Sequence, residues 1–371
     1  MISENAKTFG GYIRSLRLKG DIGQRQLARL LGMSPSYLND IEKNKRNAPQ
    51  PDMVKALAEI LDADESRIFD LAGLSRNDVA PDIAEMVRSS PETVALLRAI
   101  WDYQPNEEQI RNMKETLMAS NTRAIIIAAG LGSRMKEYTE SKPKCLLEFG
   151  NKTLLQRQLD VYRSCGIEEI ALVRGYKKET IDYDGISYFN NDDYADNNIL
   201  NSLFYAEEAI NGHVIAAYSD ILFESQVVSR LLESKHDISI IVDIDWRGYY
   251  VDRRDHPIGE AENVIFDANN NVVEIGKILT SKIDVHGEFI GMIKLTPRGS
   301  KIFKRHFARA KALYWDKPFQ RAPVFQKAYL TDMIQEMVDL GVSIHCVIIE
   351  RGWKEIDTVE DYEKALKDFE E

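Results

Sequence analysis

Cysteine is scarce, with 3 among 371 residues. Cys145, Cys165 and Cys346 stand far apart, without the spacing of paired metal ligands, which argues against a disulfide framework or a structural zinc site and for a reducing compartment. Apolar runs long enough to cross a bilayer are also missing, so no membrane span is expected. The opening residues, MISENAKTFGGYIRSLRLKG, lack the apolar stretch of a secretory signal. A cytoplasmic location is the expectation. Positive charge is short as well, at 48 Lys and Arg against 59 Asp and Glu. Residues 1–75 escape most of that deficit, with 5 Lys and 6 Arg against 10 acids. If any part meets nucleic acid, it is this one. The acidic remainder would repel a phosphate backbone and admit small anions only through a local basic pocket.

What is present is an ordinary globular balance, 44% hydrophobic and 29% charged, on a chain long enough for at least two cores. Residues 1–75 carry helical patterns at short intervals. Phe9, Ile13 and Leu16 share one helical face. GQRQLARLLGMSPSYLNDIEKNKR then reads as a short helix, a turn at Gly32 and Met33, and a second helix capped by Ser34 with Pro35 at its first position. Helices follow near Met53 to Leu61 and Ser66 to Leu71. This pattern resembles the lambda-repressor or Cro-like helix-turn-helix family over about 65 residues. The resemblance implies that the second helix of the pair enters the major groove of DNA, with Ser36, Tyr37 and Asn39 as contact residues, Gln24 joining them from the preceding helix, and Leu38 and Ile41 in the core. A homodimer reading paired half-sites is the matching expectation. The competing reading is a helical assembly element, with Lys43, Lys45 and Arg46 merely favourable at a helix end.

Residues 76–121 read as a helical linker, SPETVALLRAIWDY and NEEQIRNMKETLMAS, in which Leu96, Leu97, Ile100 and Trp101 could pair two chains or pack on a neighbouring domain. From Thr122 the pattern becomes strands alternating with amphipathic helices. RAIIIAA, EIALV, HVIAAYS, DISIIV, GEFIGMIKL and SIHCVII are the strand candidates. The expected fold for residues 122–371 is α/β, a mostly parallel, Rossmann-like sheet covered on both faces, with ligands at the carboxyl ends of the strands.

The first of these strands runs straight into a glycine-bearing loop, IIIAAGLGSRMKEYTESKPKCLLEFG, from Ile125 to Gly150. Gly130 and Gly132 let backbone N–H groups approach a ligand without Cβ interference, and such a loop can cradle phosphates. It is neither a Walker A loop nor a full dinucleotide fingerprint. AAGLGSRM followed by SKPKCLL, with Arg134 behind the second glycine and Pro143–Lys144 after a polar loop, resembles the nucleotidyltransferases that include sugar-1-phosphate nucleotidylyltransferases and phosphocholine cytidylyltransferases.

The resemblance implies attack by a phosphate-type oxygen on the α-phosphorus of a nucleoside triphosphate with release of pyrophosphate. It makes Arg134 and Lys144 the catalytic cations, Arg134 on the β and γ phosphates and Lys144 on the α-phosphate and acceptor. Ala128, Ala129, Gly130, Gly132 and Ser133 with the Gly175–Tyr176 turn are implied to hold the nucleotide, and Asp220 and Asp357 to hold Mg²⁺. DYADNNILNSLFYAEEAI, YSDILF, VDIDWRGYYVDRRDHPIGEAENV, VVEIGK and GEFIGM resemble the phosphocholine and phosphonate cytidylyltransferase branch, which implies CTP and an acceptor such as phosphocholine or 2-aminoethylphosphonate. Such an acceptor joins a small cation to a phosphorus dianion. Trp246, Tyr249, Tyr250 and Phe289 are candidates for its cation, together with Glu260, Glu262 or Glu288, and Arg253, Arg254 and Lys277 for its anionic end. The alternatives are a sugar-1-phosphate nucleotidylyltransferase, or a transcription regulator whose transferase-like domain only senses a nucleotide.

Overall fold

In the computed structural model, residues 7–61, 63–251, 253–280 and 284–367 are described. They form two compact units that divide between Asn106 and Glu107.

In the first unit, five helices (Phe9–Lys19, Gln24–Leu30, Pro35–Glu42, Pro51–Ile60 and Glu65–Arg76) surround one apolar core. Leu38 and Ile41 are wholly buried in it, as the 3.6-residue period requires. The turn expected at Gly32 forms with φ +64°, a left-handed value that suits glycine. Ser34 Oγ accepts from the Tyr37 N–H at 3.2 Å, and Pro35 opens the helix. A buried fork joins Arg17 to Glu42, at 2.6 and 3.0 Å, and locks the first helix to the third. Helices Pro81–Ser89 and Pro91–Tyr103 follow and bury no residue.

The second unit begins with helix Glu107–Ser120, which packs on helix Ser225–Glu233. Its centre is a nine-stranded mixed sheet. Thr122–Ala128 lies between two parallel neighbours, Glu169–Arg174 on one side and His213–Tyr218 on the other, and Ile186–Asn190 extends the parallel part. Beyond His213–Tyr218 the long strand Gly287–Leu295 runs antiparallel and also pairs with Ile238–Asp243 and Asn263–Phe266; Val272–Gly276 and His345–Ile349 complete the sheet. The sheet is buried on both faces, so its strands read as continuous apolar runs. Ile125 and Ile127 join one core, and Ala124 and Ile126 join the core on the opposite face.

Because the neighbours of Thr122–Ala128 lie on opposite sides of it, the chain's connections diverge at its carboxyl end. That divergence opens a crevice at the point where the glycine loop begins.

Candidate active site

Two further local structures complete the crevice. Strand Trp353–Glu355 pairs antiparallel with Ile221–Phe223, with Glu355 opposite Ile221, so the residues just beyond the pairing, Asp220 and Asp357, become neighbours. The Ile356 N–H donates to Asp220 O at 2.8 Å and ties the two loops together. Gln158, buried on helix Leu154–Ser164, donates its side-chain amide to Tyr218 O at 3.0 Å and Ile221 O at 2.7 Å, holding the turn that carries Asp220. Asp357 sits just before a capping box: Thr358 Oγ1 accepts from the Asp361 N–H, and the Asp361 carboxylate accepts from the N–H groups of Thr358 and Asp357. Arg253 clamps the same Asp361 carboxylate at 2.7 and 2.9 Å.

Into this frame reaches Lys144. Its ammonium lies 2.9 Å from Asp220 Oδ2 and 2.8 Å from Asp357 Oδ1. Arg134 forms an ion pair with the other oxygen of Asp357. Burial disfavours the charge on Lys144, but Asp220 and Asp357 outweigh it and hold the ammonium above its ordinary value. Burial likewise opposes ionisation of Asp357, and Lys144, the adjacent His256 and Arg134 reverse that, keeping the carboxyl well below the usual carboxylate range. Gly132, at φ +61°, closes the loop against Lys144, whose Cβ would sit 3.2 Å from an added methyl group.

The cavity has a volume of about 460 Å³. Its lining includes the glycine loop with Arg134, Lys144, Asp220 and Asp357, and also Glu260, Glu262, Lys277, Glu288, Phe289, Tyr218 and Tyr329. Lys277 Nζ lies 2.7 Å from Glu260 Oε2 and 5.3 Å from the centre of the Tyr329 ring. Tyr218 Oη donates to Glu262 at 3.2 Å. Burial pushes Glu262 up to about 8, and Glu288, which accepts from Tyr250 Oη, also up to about 8. The cavity therefore joins cations and a glycine loop to buried acidic side chains and aromatic rings.

Other sequence candidates stand elsewhere. Ala129, Gly175 and Tyr176 lie behind the glycine loop: the Tyr176 N–H donates to Ala129 O at 3.1 Å, and a methyl group on Gly175 would meet that oxygen at 2.8 Å. Tyr249 is not among the cavity-lining residues. Its hydroxyl bonds the Glu355 backbone, and its ring faces the Arg253 and Arg351 guanidinium groups at 4.6 and 4.3 Å. Arg254 also lies off the cavity, with its backbone N–H on Glu360. Trp246 and Tyr250 form a small buried cluster with Ala261. In the helical unit Ser36 is exposed and Tyr37 and Asn39 are half-buried; Gln24 donates to Glu42 Oε2 at 2.9 Å.

Sequence reasoning missed His256, Glu355, Tyr218 and Tyr329, all of which line the cavity. His256 and Glu355 belong to segments that carry recognised candidates, DRRDHPIGE and WKEID, but no spacing links them, because 99 residues of chain separate partners that meet only in the fold.

Residues 124–269 match the MobA-like NTP transferase domain, and residues 13–68 match a helix-turn-helix family. The chain is 27% identical over 256 residues to the CTP:phosphoglutamine cytidylyltransferase of Campylobacter jejuni, covering 66% of this chain and 99% of that protein. It is 38% identical over 119 residues to the choline-phosphate cytidylyltransferase of Streptococcus pneumoniae, covering 31% of this chain and 52% of that protein. The structure of the inositol-1-phosphate CTP transferase from T. maritima superposes with a TM-score of 0.53 at 19% identity, over 68% of this chain and 97% of that one, a likeness of fold. Residues 124–269 are thus a MobA-like NTP transferase domain with cytidylyltransferase relatives, and residues 13–68 a helix-turn-helix domain on its amino-terminal side.

Proposed function

We propose that the second unit joins CMP from CTP to a small phosphonate or to phosphocholine, releasing pyrophosphate. An oxygen of the acceptor's phosphorus group attacks the α-phosphorus; the new P–O bond forms as the bond to the β-phosphate oxygen breaks, and pyrophosphate carries away that electron pair. Two anions must meet, so the chief physical need is cancellation of charge, greatest in the transition state. The observation that carries this reading is the Lys144 ammonium held between Asp220 and Asp357 at the mouth of the glycine loop.

Lys144 is positioned for the α-phosphate and the incoming oxyanion, and Arg134, whose side chain is 53% exposed, for the outer phosphates. Backbone N–H groups around Gly130, Gly132 and Ser133 serve the same anions, and Ala128 lines the cavity beside them, while Ala129, Gly175 and Tyr176 support the loop from behind. The donor chemistry of Asp220 and Asp357, two carboxylates converging on one cation position, fits Mg²⁺, which takes few protein ligands and keeps several waters. When bound, that ion adds neutralising charge to the phosphates.

For the acceptor, Lys277 serves the dianion, and Glu262, Glu288, Tyr218 and Tyr329 suit a small cation. The two sequence relatives named above are CTP enzymes, which supports CTP as donor. The helix-turn-helix domain is read as a DNA-binding module of a homodimeric cytoplasmic protein, contacting duplex DNA through Ser36, Tyr37 and Asn39, with Gln24 as the neighbour that fixes their helix through Glu42. Among the described residues no helix is long and apolar enough to cross a membrane.

The test is pyrophosphate release with each nucleoside triphosphate across a panel of phosphonates, phosphocholine and sugar phosphates. Turnover with CTP and a cationic phosphonate or phosphocholine is the expected outcome. Product from hexose-1-phosphate alone would contradict it.

A further inference from the structure

Asp357 turns its two carboxylate oxygens toward different neighbours. Oδ1 accepts from Lys144 on the Asp220 side, whereas Oδ2 faces Arg134 and His256. His256 is only 3% exposed, and it lines the cavity. Its Nδ1 lies 2.9 Å from Asp357 Oδ2 and its Nε2 3.6 Å from Glu355 Oε2. Among the described residues, neither ring nitrogen has an aligned hydrogen-bond partner, and neither does Asp357 Oδ2. Both ring nitrogens thus face carboxylate oxygens, an arrangement that a cation shared among the three side chains would complete. The ligand atoms of His256, Glu355 and Asp357 all lie within 4.8 Å of one another.

We propose that these three residues form a cation position of their own, sharing Asp357 with the Asp220 side, and that it takes a divalent transition-metal ion such as Mn²⁺ in preference to Mg²⁺. The preference follows from the donors. Mg²⁺ favours oxygen and dehydrates reluctantly, whereas Mn²⁺ and the later divalent ions accept imidazole nitrogen beside carboxylates. The surrounding charges leave room for a cation. Arg253 lies 3.1 Å from Glu355 Oε2, but its guanidinium is already matched by the Asp361 carboxylate. Lys144 is matched by Asp220, and Arg134, whose side chain is half-exposed, can yield Oδ2 to an incoming divalent ion and turn to solvent. Separating the position from the phosphate-facing side of Asp357 is what makes it distinct from the Mg²⁺ reading above, on which it rests only through that shared residue.

The test needs no nucleotide and no turnover, so its failure is distinct from failure of the cytidylyltransferase reading. The full chain is loaded with Mn²⁺ alone and examined by pulsed electron paramagnetic resonance for ¹⁴N coupling. Coupling in the wild type, lost in His256→Gln and kept in His213→Gln, is the expected result. A spectrum with proton coupling only, or ¹⁴N coupling that survives in His256→Gln, would overturn the proposal. Removing a direct ligand should also weaken Mn²⁺ binding at least ~10-fold, the lower end of what loss of an outer partner costs, with Mg²⁺ affinity little changed. Equal losses for both ions would contradict the assigned preference. Should His256→Gln fail to fold, Glu355→Gln is the second variant: weaker Mn²⁺ binding with ¹⁴N coupling retained supports the site, and unchanged affinity counts against it.

Discussion

Lys144 and Asp357, 213 residues apart in the chain, meet through a 2.8 Å hydrogen bond in a nearly closed setting, the lysine side chain 11% exposed and the aspartate 6%. Every route to that contact passes through backbone pairing: the glycine loop brings the lysine, and the short Trp353–Glu355 strand brings the aspartate beside Asp220.

Removing the ammonium should therefore act on chemistry. Lys144→Ala is expected to lower kcat by about 10²–10³-fold or more, the range for a lost transition-state electrostatic partner. Asp220→Ala should also abolish turnover. Steady-state pyrophosphate release checks both, and wild-type rates in either variant would refute the assigned roles.

Gln158 acts through the turn it holds. Gln158→Leu removes the donors to Tyr218 O and Ile221 O inside the core, leaving buried carbonyls unpaired at a cost of about 1–3 kcal/mol. Denaturant titration should record that loss, and kcat should fall because Asp220 shifts with the turn. Unchanged stability would show that the amide does not hold this turn.

Glu262 and Glu288 give the second unit a pH signature. Both carboxyls are pushed up to about 8 from an ordinary 4.5, chiefly by burial. The folded state then binds their protons more tightly than the unfolded chain does, so their contribution is complete below about pH 4.5 and is lost as pH rises through 8. Each group should cost up to about 1.4 kcal/mol per pH unit across that window. Glu288→Gln is expected to flatten the fall in Tm between about pH 5 and pH 8. A steeper fall in the variant would contradict the shift.

Gly291 tests how close backbone and ring must come at Tyr218. It adopts φ +82°, and a methyl group there would lie 2.3 Å from a Tyr218 ring carbon. Gly291→Ala should displace Tyr218 from Glu262, raising KM for a cationic acceptor about 10-fold, equivalent to about 1.4 kcal/mol, more than it changes KM for CTP. Steady-state kinetics with the acceptor and CTP varied in turn separates the two.

In the helical unit, Arg17→Ala leaves the buried Glu42 carboxylate without its guanidinium and with only the Gln24 amide on it, and loss of one partner from a buried pair typically costs about 3–5 kcal/mol. Hydrogen exchange on the full chain should show opening of residues 9–42 while the sheet stays protected. If residues 1–75 bind DNA, affinity for a duplex should fall steeply with salt. A salt-independent or absent affinity would make this module an assembly element.

Local chemistry made some of this legible in the sequence. Ser34, Pro35 and Gly32 each have one favoured place at a helix boundary, and the continuous apolar run RAIIIAA can only be a strand buried on both faces. Lys144, Asp220 and Asp357 stand out in the sequence through the resemblance of SKPKCLL, YSD and WKEID to a known family, and the fold brings the three together. His256 and Glu355 do not, since their meaning comes from a meeting set by the pairing of Trp353–Glu355 with Ile221–Phe223. Tyr249 and Trp246 carry an ambiguous signal, because an aromatic residue near a strand end suits a packed layer over arginines as well as a ligand cage. The long strand Gly287–Leu295 runs antiparallel to each strand that it pairs with, an orientation that apolar pattern alone does not encode.

The most direct measurement of the central claim is ³¹P NMR of the full chain with CTP, Mg²⁺ and a cationic phosphonate or phosphocholine. The account predicts paired resonances of a CMP-linked acceptor growing in step with pyrophosphate, and no such product with Lys144→Ala. CTP left intact with every such acceptor, or the same product formed at the same rate by the variant, would contradict it.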